Sequence, residues 1–283
     1  MRRIFQIVCL LIAASAHAVD VILLGGQSNM QGIGKVADLP ADLPRAVPHT
    51  FFWNGKVFEP LVAGVTRSSN RAGEFGPEIG LGLGLATAAA PVYLIKDSAS
   101  GMPLHAGWNA AKWEGPAPGP GRKTFYPGEK AGDPNTGTLY RAMLAKYRAG
   151  LAHLEKAGQA PVVKGFVWMQ GEADAKHEVS AREYGESLRR LRARLAADLG
   201  LPTAPPLVFG QVLPHEPAME RFTHRVEIRQ AMAATDERSG LPAAQPGVRM
   251  VSTDGFGVLP DTVHYTADGL LRLGRAFAGE LSK

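Results

Sequence analysis

The chain has 283 residues, 45% of them hydrophobic and 20% charged, with a formal net charge of +5 and one cysteine. So small a positive surplus, with no basic patch interleaved with aromatics, excludes a nucleic-acid-binding surface. The single thiol, Cys9, excludes a disulfide framework, zinc-thiolate sites and iron–sulfur clusters.

Residues 1–18 read as a secretory signal peptide. Arg2 and Arg3 form the positive region, residues 4–14 the apolar run, and Ala16-His17-Ala18 a small-x-small cleavage site. The run is shorter than the roughly 20 residues a membrane-spanning helix needs, so no stable membrane anchor is expected after cleavage. A cut after Ala18 removes Cys9, and +5 less the charges of Arg2 and Arg3 leaves +3. The mature protein is expected in the periplasm or outside the cell.

Residues 19–283 read as one domain, since no linker or internal repeat interrupts them. The apolar run 19–24 predicts a strand that stops at Gly25-Gly26-Gln27-Ser28-Asn29-Met30, where the two glycines permit a tight turn. Residues 78–90 predict a close-packed helix. Its Gly80-Leu81-Gly82-Leu83-Gly84 has neither the G-x-G-x-x-G spacing nor the preceding strand of a nucleotide loop. A strand over 91–95 leads into Asp97-Ser98-Ala99-Ser100-Gly101, and residues 114–137, rich in Gly and Pro, form a long surface loop. Leucines and aromatics at spacings of three and four predict a helix over 138–157. The strand 162–169 ends at Gln170-Gly171-Glu172-Ala173-Asp174. A helix over 180–200 opens on Ser180-x-x-Glu183 as a capping box and stops at Gly200-Leu201-Pro202. Strands over 207–212 and 248–251 follow, and Asp261-Thr262-Val263-His264 precedes a final helix.

Apolar strands alternating with helices predict an α/β fold of three layers, α/β/α, around a five-stranded parallel sheet. Ligands of such sheets bind beyond the carboxyl ends of the strands, where the polar motifs fall. A serine, a histidine and an aspartate at one sheet edge are the ingredients of acyl transfer: a hydroxyl that attacks, an imidazole that takes its proton, and a carboxylate that holds the imidazole. The three-residue offset of Asp261 and His264 lets the carboxylate fold back on one ring nitrogen while the other faces Ser28.

Gly-Gln-Ser-Asn-Met after the first strand, Trp168-x-Gln170-Gly171-Glu172-x-Asp174 after the third, and Asp261-x-x-His264 resemble the SGNH hydrolases, whose fold is flavodoxin-like. More narrowly they resemble the carbohydrate acetylesterases of carbohydrate esterase family 6 and the related sialate O-acetylesterases. The resemblance implies Ser28 as nucleophile, His264 as general base, Asp261 as its orienting acid, and an oxyanion hole from Ser28, Gly101 and Gln170. Gly76, in Phe75-Gly76-Pro77, is a second candidate for the glycine, although it precedes a helix. The α/β-hydrolase elbow G-x-S-x-G is excluded by Met30 where it needs glycine.

Each residue also has a plainer reading. Ser28 alone would be a helix cap, and His264 alone a surface histidine; the conjunction of three motifs overrides both. Glu172 and Asp174 mimic a glycosidase carboxylate pair but read as acids that fix Gln170 and Ser28, while Gln27 and Asn29 brace the turn. Arg71, with Trp108 and Trp113 from the insert, is placed at the substrate cleft, since aromatic faces bind sugars as readily as they pack. No His or acid spacing requires a metal, and no cofactor is expected. The substrate expected is an acetylated carbohydrate of the acetylxylan or sialic-acid type. The alternatives are a carbohydrate-binding protein without turnover, and a lipase or thioesterase on the same fold.

Overall fold

In a computed structural model, which describes residues 17–216 and 219–283, one seven-stranded sheet runs through the molecule. The strands are β1 (His17–Gly26), β2 (Ala46–Trp53), β3 (Phe58–Val62), β4 (Val92–Ser98), β5 (Gln159–Met169), β6 (Leu207–Gly210) and β7 (Val248–Val251). Their spatial order is β7-β6-β5-β1-β4-β2-β3, and every neighbouring pair is parallel except β2 and β3. The helices are α1 (Ser28–Gln31), α2 (Glu78–Leu85), α3 (Thr138–Lys156), α4 (Glu178–Arg182), α5 (Tyr184–Asp198), α6 (Arg225–Thr235) and α7 (Ala267–Leu281).

The layering follows from the two-residue period of a strand. Val21, Ile22, Leu23 and Leu24 of β1 are all buried, so both faces of the central strand are covered. Ile95 and Lys96 of β4 point to opposite faces: Ile95 lies against Gly150 of α3, whereas Lys96 reaches Glu78 of α2. On the second face α2 packs against α7 so closely that a Cβ on Gly80 would lie 2.2 Å from the Leu271 carbonyl oxygen. Glycine is therefore required there, and the glycine run is a packing seam.

Five strands were expected and all five are present; β2 and β3 extend the sheet at one edge. Both contain proline, Pro48 in β2 and Pro60 in β3, which masks a strand pattern and is tolerated near sheet edges. Helix α2 ends at Leu85, short of the predicted residue 90, because Thr87 and Ala90 close a turn on each other before Pro91. The predicted capping box does not form. His177 caps α4 by accepting from Val179 N–H, while Ser180 Oγ donates to the Asp174 carbonyl and Glu183 pairs with His105. Of the predicted signal peptide only His17 and Ala18 are described, as the first residues of β1; the rest lies outside the described residues. Among those residues no helix is long and apolar enough to cross a membrane.

Candidate active site

The carboxyl ends of β1, β4 and β5 are knotted together. Ala99 N–H donates to the Gly26 carbonyl at 3.0 Å, and Gln27 N–H donates to that of Met169 at 2.9 Å. Gly26 has φ +147°, and a Cβ there would fall 2.0 Å from the Met169 carbonyl oxygen, so the turn after β1 tolerates no side chain. Ser28 follows at once as the first residue of α1 and is nearly buried.

His264 meets it from the loop before α7. Its Nε2 lies 2.9 Å from Ser28 Oγ and its Nδ1 2.6 Å from Asp261 Oδ2. Asp261 Oδ1 accepts from the backbone N–H groups of Val263 and His264, both at 2.9 Å, which closes the three-residue offset into a ring. Partial burial acts to raise the Asp261 pKa, but hydrogen bonds from the His264 backbone and ring and from Val263 outweigh it and hold the carboxyl below the ordinary aspartate range. Thr262, between the two, has φ +60°, a left-handed backbone that a β-branched residue rarely adopts.

Behind the serine, Asn29 ties three segments. Its Nδ2 donates to Glu172 Oε1 at 2.7 Å and to the Val263 carbonyl at 3.0 Å, and its Oδ1 accepts from Tyr265 N–H. Glu172 is buried, and its Oε2 has no partner among the described residues. Burial is the main influence on its pKa and raises it, against opposing bonds from its own N–H and Asn29 and the nearby His264 ring. Asp174 is buried as well but takes three donors: Leu104 N–H, His105 N–H and Gln170 Nε2. The two acids brace Asn29 and Gln170 respectively.

Gln170 departs from its expected place. It is fully buried and absent from the cleft wall; its two Nε2 hydrogens go to Asp174 Oδ2 and the Met102 carbonyl, and Tyr184 holds its Oε1. No N–H of its side chain is left for the cleft. Gly76 is also spent, since its N–H donates to Glu78 Oε1. Gly101, by contrast, lines the cleft at φ +70°, and its N–H has no acceptor among the described residues.

The cleft holds about 530 Å³ and joins Gln27, Ser28, Gly101, Glu172, Asp261 and His264. Arg71 lies on its wall, together with Lys176, Arg221 and Phe222, which the sequence did not single out. Arg221 stands over the Phe222 ring at 4.8 Å. Trp108 and Trp113 are elsewhere. They pack edge to face at 5.4 Å, Trp113 stacks on His177 at 3.8 Å, and Trp108 Nε1 donates to Ser180 Oγ. These contacts use the faces that a sugar would need, so the pair is packing and not cleft wall.

A second group legible only in three dimensions lies under α1. Lys96 and Glu78 form a buried ion pair at 2.7 Å, and Lys96 Nζ also donates to the carbonyls of Met30 and Gln31. A lysine in a strand gives no warning of this; its partner is 18 residues away on a helix. Among the described residues no three His, Cys, Asp or Glu side chains gather as a metal would need.

The profile of a family described as carbohydrate esterase, sialic acid-specific acetylesterase, matches residues 18–283. The chain belongs to that family. It is thus a carbohydrate acetylesterase, a carboxylic ester hydrolase acting on acetylated carbohydrate. The esterase is similar to a protein from Arabidopsis thaliana, at 18% identity and TM-score 0.65, over 93% of this chain and 98% of that one. It is similar to NanS at 13% identity and TM-score 0.59, over 95% and 98% of the two chains. It also matches XAC1771, a carbohydrate acetylesterase from Xanthomonas citri, at 20% identity and TM-score 0.53, over 92% of this chain and 54% of that one. At such identities these likenesses describe the fold of the esterase. No curated protein sequence matches it.

Proposed function

We propose that this esterase is exported and removes O-acetyl groups from carbohydrates by a Ser28-His264-Asp261 triad. The observation that carries the reading is the unbroken line from Asp261 Oδ2 to His264 Nδ1 at 2.6 Å and from Nε2 to Ser28 Oγ at 2.9 Å. His264 Nε2 takes the proton as Ser28 Oγ attacks the acetyl carbonyl, and the carbonyl electron pair moves onto oxygen. That oxyanion meets the N–H groups of Ser28 and Gly101. Gln27 lines the same wall; its Oε1 accepts from Ala173 N–H, which leaves Nε2 without a protein acceptor among the described residues and free to be a third donor. Collapse breaks the ester bond, and the sugar oxygen leaves with the proton from His264. Water, deprotonated by the same ring, then attacks the acetyl-Ser28 carbonyl, releases acetate and returns the serine proton. The imidazole must be neutral at each attack, since only then can its Nε2 accept the proton.

Gln170 enters this reading as a brace: its bond to the Met102 carbonyl steadies the turn that presents Gly101. Glu172 and Asn29 keep the nucleophile turn in register with the loop of His264.

Between acetylxylan and a sialic-acid type of substrate, the cations on the cleft wall favour the acidic sugar. Lys176 and Arg221 have no carboxylate within ion-pair distance among the described residues, and the nearest one to Arg71 is Glu74 at 3.8 Å. Residues 1–18 supply the export signal. The test is acetate release from a panel of acetylated sialosides, xylan and pectin by the mature protein beside Ser28→Ala. Ser28-dependent release, highest on the acidic sugars, is expected. Binding of the panel without acetate release would return the protein to a carbohydrate-binding role, and a preference for long acyl chains would make it a lipase or thioesterase.

A further inference from the structure

The connection between β4 and α3 begins in the catalytic cleft, with Ser100 and Gly101, and ends in a second cavity of about 510 Å³. That size falls in the ~300–1,000 Å³ range of small-ligand sites. Its walls are residues 127, 130–134 and 136 of the connection, one flank of α3 and the end of α5. It shares no lining residue with the cleft.

Charge is its distinguishing property. Lys130, Arg141, Arg148 and Arg194 line it against two carboxylates, Asp133 and Asp198, a formal surplus of two positive charges. Both acids are already engaged. Asp133 accepts from the N–H groups of Glu129 and Asn135, which hold it below the ordinary aspartate range and so ionised. Asp198 accepts from Tyr140 Oη at 2.8 Å and Arg194 Nη2 at 2.5 Å. The cations are less fully used. Arg141 donates to the Thr136 carbonyl and Arg148 to the Asp198 carbonyl, contacts that leave both charges unneutralised. Lys130 has no carboxylate within ion-pair distance, and Arg194 Nε is buried without an acceptor, among the described residues. With Arg194 paired to Asp198, the cations Lys130, Arg141 and Arg148 are left without a carboxylate partner among the described residues, and an anion seated among them relieves their repulsion while filling open donors.

We propose that this cavity is a second carbohydrate-binding site, which takes a carboxylate-bearing unit of an acidic glycan. Arginine suits a planar carboxylate because its donors match it two by two. The choice of a carbohydrate as its ligand rests on the carbohydrate reading given above. The cavity's preference for carboxylated sugar stands on its own geometry.

The experiment measures binding of an unacetylated galacturonic acid oligomer to the full chain and to Arg141→Gln/Arg148→Gln, with hydrolysis of an aryl acetate in parallel. The double variant is expected to bind the oligomer at least about tenfold more weakly, the change for losing charge-assisted contacts, with aryl acetate turnover unchanged. Its melting temperature is checked first, and Arg141→Lys/Arg148→Lys, which keeps charge without the fork, is expected to recover part of the affinity. Equal affinity in wild type and the glutamine variant, or no binding by wild type, overturns the proposal. Inorganic sulfate binding as tightly as the oligomer also overturns it, as a site for free anions. Absence of aryl acetate hydrolysis with oligomer binding lost in the variant would sink the esterase mechanism and leave this site standing.

Discussion

The Ser28 cleft and the patch of Trp108, Trp113, His105 and His177 make an instructive pair. Both gather side chains typical of carbohydrate sites. In the cleft, polar groups are fixed on one side and open on the other: Asp261 holds one nitrogen of His264 while the other faces Ser28, and Gly101 lines the cleft with its N–H unpaired among the described residues. In the patch, the rings pack on one another, Trp108 Nε1 is spent on Ser180 and His105 Nε2 on Glu183. A functional site is distinguished here by valence left open toward solvent, and residue type alone does not reveal it.

That contrast can be broken by substitution. Ser28→Ala is expected to lower kcat on any accepted ester by on the order of 10⁴-fold or more, with the fold intact by circular dichroism. Residual turnover near wild type would place the nucleophile elsewhere. Asp261→Asn follows, at on the order of 10²- to 10⁴-fold in kcat, because an amide in place of Oδ2 orients the His264 ring wrongly. Steady-state kinetics that put the loss in KM would make Asp261 a binding residue instead.

Trp108→Ala is expected to act on stability, by about 3–5 kcal/mol, as for other buried aromatics, while KM for glycan stays at the wild-type value in the folded fraction. A raised KM with an unchanged melting temperature would make the patch a subsite and erase the distinction.

The smallest effect concerns pH and separates two acids of the cleft. Burial raises the Glu172 pKa in the folded protein, so ionising it opposes folding. Above the ordinary glutamate value of about 4.3, the unfolded chain gives up this proton more readily, and stability falls as pH rises toward the folded pKa. Glu172→Gln removes that component, so its melting temperature gains on wild type as pH rises. Asp261 has the opposite sign: its lowered pKa stabilises the fold above the ordinary aspartate value, and that contribution is lost on acidification through the folded pKa. A melting-temperature difference for Glu172→Gln that is flat with pH would show that the buried carboxyl does not ionise in this range.

Much of this was legible in the chain because it is local. Apolar runs locate five strands, and Asp261-x-x-His264 carries its own geometry within four residues. What escaped depends on distant partners. The direction of the Gln170 amide is set by Asp174, Tyr184 and Met102, so a strand-following glutamine looks like a cleft donor until those are placed. Lys96 is a strand residue whose role exists only once α2 is folded over it. Pro48 and Pro60 hid two strands, and the Trp108 and Trp113 side chains gave aromatic character without saying which way they face.

Thr262 carries a consequence for heat. A β-branched residue at φ +60° costs about 1–2 kcal/mol, and the strain sits between the two residues that the proposed triad needs together. The loop is held shut by contacts to Asp261, by Leu259, whose N–H and carbonyl pair with His264 and Thr262, and by Asn29, which donates to the Val263 carbonyl. These are fewer constraints than hold the seven-stranded sheet, so turnover is expected to be lost reversibly on warming below the temperature at which circular dichroism reports melting of the sheet. Simultaneous loss of turnover and of the sheet signal would show the loop to be as stable as the sheet.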